Sequence, residues 1–308
     1  PLNQGIFNMA TIAGTYKTYN QVGKREDIED IIYDVSPIMT PFTSAIGTST
    51  ATATLHQWQQ DSLSAVAANA AVEGADAGAS SVDQTELKNA STQIFTKVVQ
   101  TSGTADSVAT YGRGGTELSY QIIKKGKELR RDIEHSFVGA LQAGTAGAAG
   151  VARQLKSAQN QINAATTNTA GANRTFTETL LLDVLQKVYN EGGEPNQVQV
   201  TPSHSVVVAN FAASAGRERD FGTGTTITNA VNIYVSPFGQ VSVVVNRFLA
   251  ANTCLVLDTE YWSRAVLRPM QTIVLAKVGD SDKRQMLTEQ TLVCENDKAS
   301  GLIEALTA

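Results

Sequence analysis

Charge is scarce in this chain of 308 residues: Asp, Glu, Lys and Arg make up 17%, against about a quarter in an ordinary soluble domain. Their balance is −5, which argues against a protein whose main task is gripping nucleic acid but leaves room for a shell that encloses it. Aromatics are only 6%. Cysteine is limited to Cys254 and Cys294, each inside an apolar, strand-like run. A pair of buried thiols in a reducing compartment is the expectation, and no Cys/His spacing matches a zinc site. No apolar run approaches the roughly 20 residues of a membrane span. The first residues lack the basic-then-apolar pattern of a secretory signal, so a soluble protein made in a cytoplasm is expected. Pro1 would then follow either a trimmed initiator Met or a maturation cut.

Groups that carry catalysis are equally sparse. The histidines are His56, His135 and His204. His135 falls on the charged face of a helix, where a solvated or ion-paired imidazole is expected. His204 stands between Ser203 and Ser205, but no G-x-S-x-G elbow surrounds them, and serines at a helix start usually cap it. The glycines at 112, 114, 115, 222 and 224 lack the Walker lysine and the strand context of a phosphate cradle. The carboxylates Glu26, Asp27, Glu29, Asp30 and Asp34 have no His or Cys beside them to shape a metal site, and read as a solvated face. No catalytic, cofactor-binding or metal-binding residues are therefore expected. A hydrolase resting on His204 is the remote alternative.

What the chain does contain is small and polar. Ala, Thr, Ser, Asn and Gln fill the gap left by charge, giving a hydrogen-bonding surface suited to lateral packing. One long helical signal stands out, TELSYQIIKKGKELRRDIEHSFVGALQ at residues 116–142. At about 100° per residue, Leu118, Ile122, Gly126, Leu129, Ile133, Phe137 and Ala140 share roughly a third of the wheel. Lys124, Lys125, Lys127, Glu128, Arg130, Arg131, Asp132 and Glu134 take the rest. Lys124–Glu128 and Arg130–Glu134 have the spacing of i,i+4 pairs. Such a rod is a spine that must lie across a sheet or another domain. Its cations could form a solvated or inter-subunit face, or meet packaged nucleic acid.

Before the spine, residues 1–20 read as an extended arm, and Ile28, Ile31 and Ile32 line a short acidic helix ended by Pro37. With Pro41 close behind, the chain there is expected to be extended and pinned. Residues 51–61 and 93–102 alternate weakly around a Gly/Ala-rich stretch at 65–83. They read as a protruding hairpin with Trp58 and Phe95 as its large anchors. Such a hairpin either waits for a neighbour or is covered within the same chain. After the spine, a helix is expected near 151–162. Another follows a capping box at Thr175 and Glu178, with Leu181, Val184, Leu185 and Val188 as its core stripe. A strand at 197–200 and a helix from Thr201-Pro202 come next. Strand runs follow at 230–235, 240–246, 254–257, 265–267, 272–277 and 284–293, the first two joined by the turn Ser236-Pro237-Phe238-Gly239. The fold class is α+β.

This order resembles the major capsid proteins of tailed double-stranded DNA phages, with their Hong Kong 97-like (Johnson) fold, and among them a podovirus-type family. The resemblance rests on DIEDIIYDVSPIMTPF at 27–42, QIFTKVVQTSGTA at 93–105, KGKELRRDIE at 125–134 and LVLDTEYWSRAVLRP at 255–269. It implies an N-terminal arm at 1–50 and an extended hairpin loop at 51–103. A peripheral domain at 104–174 and 270–308 would carry the spine, with an axial domain at 175–269. It further implies a non-enzymatic homo-oligomer of hexamers and pentamers in a virion capsid assembled in the host cytoplasm. Expected partners are a portal, scaffolding or decoration proteins and packaged double-stranded DNA contacted non-specifically, with no membrane and no cofactor. Trp58, Phe95, Lys97, Arg130 and Arg131 are the candidate inter-subunit contacts. Family members that crosslink need a lysine near the hairpin tip; residues 47–86 contain none, so crosslinking is not expected. An encapsulin-like nanocompartment shell is the alternative with the same fold.

Overall fold

The computed structural model describes residues 39–214 and 233–307, except 65, 71, 75, 77–81, 83, 113 and 114. The expected arm at 1–20, the acidic helix before Pro37 and the loop at 217–226 lie outside the described residues.

The spine is helix α3, Glu117–Val138, reached after α1 (Pro41–Ala45), β1 (Gly47–Thr50), β2 (Leu55–Gln60), β3 (Glu86–Ser91), β4 (Gln93–Ser102) and α2 (Gly103–Ser107). Thr116 starts it, its hydroxyl accepting from the Ser119 amide and so satisfying one of the orphan donors of a helix start. The helix lies across β4 and β13 (Ser281–Cys294). Leu129, Ile133 and Phe137 are buried there in one core with Phe95, Met286, Leu292 and Trp262, and Ile122 packs against its margin. Gly126 weakens a helix in isolation, but here it lets the sheet come close. A Cβ at Gly126 would sit 3.3 Å from the Met286 methyl.

The sheet under the spine has four strands in the order β1-β12-β13-β4, where β12 is Trp262–Val274. β1 runs parallel to β12, and the other pairs are antiparallel. Expected as two short runs, β12 is one strand. Its register shifts between Val266 and Gln271, around Pro269, a residue that sheets admit at bulges and edges. The domain boundary expected at 269/270 falls inside that strand.

The hairpin also differs from expectation. β2 pairs with β3, from Leu55↔Ser91 to Gln60↔Glu86. The run 93–102, expected as the second hairpin strand, is β4 and pairs with β13. Its odd positions Phe95, Val99 and Thr101 are buried. A tertiary partner, invisible in a weakly alternating strand, decides that assignment. The hairpin is thus shorter at its root and has a longer tip.

The second layer is a six-stranded sheet, β7-β14-β11-β8-β10-β9. These strands are β7 Thr167–Asn168, β8 Gln197–Val200, β9 Ile233–Ser236, β10 Gly239–Val245, β11 Cys254–Leu257 and β14 Gly301–Ile303. Helix α5 (Glu178–Asn190) buries Leu181, Val184, Leu185 and Val188 against it, as the spacing predicts. Gly301 makes that contact close, since a Cβ there would meet Val184 at 2.3 Å. β14, within the stretch 270–308 that was expected to lie with the spine, belongs to this six-stranded sheet. Thr177 rather than Thr175 holds the N-cap position of α5, without a side-chain capping bond, and the Glu178 carboxylate accepts from the Tyr234 hydroxyl instead of closing a capping box. Helix α6 (Pro202–Ser214) follows Thr201 as expected. Residues 151–162 are not one helix: they hold β6 (Gln154–Lys156), paired with β5 (Ala143–Thr145), and the single turn α4 (Ala158–Gln161). Gly/Ala-rich flanks give a longer helix no apolar face to bury.

Near Pro41 the chain is helical, not extended. Pro41 takes the first helical position, which its fixed φ suits. The Thr40 side chain makes no cap. Glu134 of the spine does so instead, its carboxylate accepting from the Phe42 and Thr43 amides at 2.8 Å each. Glu134, expected on the charged face and paired with Arg130, is fully buried.

Candidate assembly surfaces

The hairpin root is built into the chain's own body. Side chains alternate across a strand, so Ala265 and Val293 face away from the core that holds Trp262, Leu292 and Cys294. Ala51, Trp58 and Leu267 cover that far face. Trp58, a candidate contact, is therefore half-buried under its own chain. Gln60 reaches the Glu295 carbonyl at 2.8 Å, and Lys88 pairs with Glu86 at 2.7 Å and Asp297 at 3.3 Å. Burial alone would lower the Lys88 pKa, but the hydrogen bonds and charges of Glu86 and Asp297 outweigh it and leave it raised. Glu289 is a second tie. Buried, it accepts from Thr92 at 2.8 Å and pairs with Arg153 at 2.6 Å and Arg268 at 2.8 Å.

Beyond this root, several described apolar residues of the tip stand out in solvent. Leu63 and Val66 are fully exposed, and Val72 and Val82 are about four-fifths exposed. Apolar side chains held out in this way have nothing within the described chain to bury against.

The other candidate contacts separate. Phe95 is 6% exposed and belongs to the chain's own core, which removes it from any outer surface. Lys97 pairs with Asp132 at 2.6 Å, tying β4 to the spine. Arg131 lies over the Phe248 ring at 5.7 Å, a cation–π distance. Lys97 and Arg131 thus meet, with Glu128 and His135, around a recess of about 350 Å³. Glu128 itself pairs with Lys125 at 2.6 Å. Arg130 stands apart, exposed at a cleft of about 550 Å³ between the spine and β12. Sequence reasoning missed Arg264, which lines that cleft with it and donates to the Thr48 hydroxyl at 3.0 Å.

His204 is held structurally. It is buried against Phe176, Nδ1 lies 2.9 Å from the Thr201 hydroxyl and Nε2 lies 2.9 Å from the Thr307 carbonyl. With both nitrogens engaged it has no free base to offer. Cys254 and Cys294 are buried free thiols, pushed up in pKa by that burial. Among the described residues no cluster of His, Cys, Asp and Glu could hold a metal, and no helix is long and apolar enough to cross a membrane.

Comparison with known proteins agrees with this layout. A family model described as SU10 major capsid protein matches residues 11–307. A major capsid protein of Escherichia phage Phieco32 is 30% identical over 340 aligned positions, covering 94% of this chain and 96% of that protein. Among solved structures, the capsid asymmetric unit of cyanophage A-1(L) superposes with a TM-score of 0.68 at 12% identity, covering 95% of this chain and 99% of that one. An encapsulin complex from Synechococcus elongatus superposes with a TM-score of 0.57 at 10% identity, covering 89% and 92%.

Proposed function

The chain belongs to the SU10 major capsid protein family, and from that premise we propose that it works through repeated contacts between copies, forming pentamers and hexamers of an icosahedral shell around double-stranded phage DNA. The fold is Hong Kong 97-like. The encapsulin likeness is one of fold at 10% identity, whereas the family match runs along nearly the whole chain. No catalysis is assigned to it. A portal and scaffolding or decoration proteins are its partners in this reading, and it assembles in the host cytoplasm. The spine with the four-stranded sheet serves as the peripheral part, and the six-stranded sheet with α5 and α6 as the axial part.

The observation that carries this reading is the hairpin. Its root is tied down by Trp58, Gln60 and Lys88, while the tip presents Leu63, Val66, Val72 and Val82 to solvent. Ordering a tip residue costs roughly 1–2 kcal/mol in backbone entropy, and the exposed apolar side chains of the tip bury nothing against the described chain to offset that. A neighbour's surface supplies that burial. Symmetry then multiplies contacts that are individually weak.

Replacing residues 62–85 with a short Gly/Ser turn tests this. The variant keeps β2, β3 and the Glu289 tie, so it is expected to be soluble with thermal unfolding close to that of the native chain, yet to form no shells. Early melting or aggregation would place the tip in the fold. Normal shells would show that the contacts lie elsewhere.

A further inference from the structure

Two arginines meet in the cleft between the spine and β12 without an acid to balance them among the described residues that line it. The pairing of β12 with β13 explains why both face it. Val266 stands opposite Gln290 and Arg264 opposite Leu292, and opposite residues share one face of a sheet. Leu292 lies in the core under the spine, so Arg264 points to the spine's side, where Arg130 forms the facing wall. By spacing, Glu134 would be the partner of Arg130. Its two oxygens are instead taken by Phe42, Thr43 and Asn246. Arg130 is left exposed, with no ion pair among the described residues. Arg264 donates its Nε–H to the Thr48 hydroxyl at 3.0 Å, which steadies the guanidinium and leaves its terminal nitrogens without an acceptor among the same residues. Gln290, also part of the lining, is 3% exposed, and its Nε2 lacks an acceptor there too.

We propose that this cleft is an oxyanion-binding site that takes a phosphate or carboxylate group between Arg130 and Arg264. Like charges gathered in one recess repel, and a counter-anion relieves that repulsion. A guanidinium presents paired N–H donors on a planar fork, the geometry that either group accepts. The cleft, of about 550 Å³, also has room for a short organic remainder against Val266 and Met270. A bound anion would link the spine to β12 outside the core that they share. This binding does not depend on assembly.

The test is calorimetric titration of the full-length chain in a buffer free of phosphate. Inorganic phosphate is added in one arm and glutarate in the other, at matched ionic strength. At least one is expected to bind with a Kd on the order of millimolar, the scale of a few partly exposed charge-assisted contacts. Tighter binding of phosphate would assign the site to phosphate groups, and tighter binding of glutarate to carboxylates; either result upholds the proposal. Arg130→Gln and Arg264→Gln should each weaken the binding roughly tenfold or more, as expected when hydrogen bonds to a charged group are lost. Arg131→Gln, at the separate recess beside Phe248, should leave it unchanged. The proposal is overturned if neither anion binds. It is equally overturned if Arg130→Gln and Arg264→Gln bind as the native chain does, since the anion would then sit elsewhere.

Discussion

Glu134→Ala is expected to lower the free energy of unfolding by about 3–5 kcal/mol, the range for stripping one partner from a buried charged network. Glu134 has no exposed surface. One carboxylate oxygen accepts from the Phe42 amide and from Asn246 Nδ2, both at 2.8 Å. The other accepts from the Thr43 amide and the Thr43 hydroxyl. Asn246 also donates to Gln199 Oε1 at 3.0 Å. One side chain therefore joins the spine, the short helix α1 and, through Asn246, strand β8 of the second sheet. Truncation leaves two backbone amides, a hydroxyl and an amide without an acceptor, and at the buried Phe42 and Asn246 each orphan costs about 1–3 kcal/mol before relaxation. Glu134→Gln keeps the volume and one oxygen but aims an NH₂ at a donor, so its loss should be smaller than that of Ala. Urea unfolding of the three proteins ranks them. A loss below about 1 kcal/mol for Ala, on the scale of an ordinary surface change, would mean the junction does not hold these elements together.

Ile133→Asp should be as damaging and should give insoluble protein. Ile133 is 4% exposed and packs in the core formed by the spine and the four-stranded sheet. An aspartate there places an unpaired charge in an apolar site, at a cost of several kcal/mol. Arg130→Ala, three residues earlier on the exposed side, should fold normally. Soluble yield and urea midpoints compare the two directly, and equal behaviour would contradict the burial of that face.

What was legible in the sequence was whatever a local period could carry. The spine, the α5 stripe at Leu181, Val184, Leu185 and Val188, and the strands at 197–200 and 254–257 lie where their patterns place them. Pairing was not legible. β4 reads much like a hairpin strand, and only its partner β13 makes it part of the core sheet. Pro269 split the reading of β12 because a proline that sits at a register shift looks like a strand end. Glu134 hid for a related reason. At about 100° around the helix from Ile133 it falls outside the apolar stripe, yet the buried face widens there, where α1 and Asn246 close over the spine. Buried Val138, one turn further on the same side, was the available signal. Of the candidate contacts, Phe95 was lost to the core and Arg130 kept an open surface. Aromatic or cationic character alone does not separate the two roles.

The capsid function itself is tested most directly by electron microscopy of the purified protein in negative stain. Closed icosahedral shells, or five- and six-membered capsomers that close as salt and crowding are raised, are the expected result. A compact monomer under every such condition would contradict it.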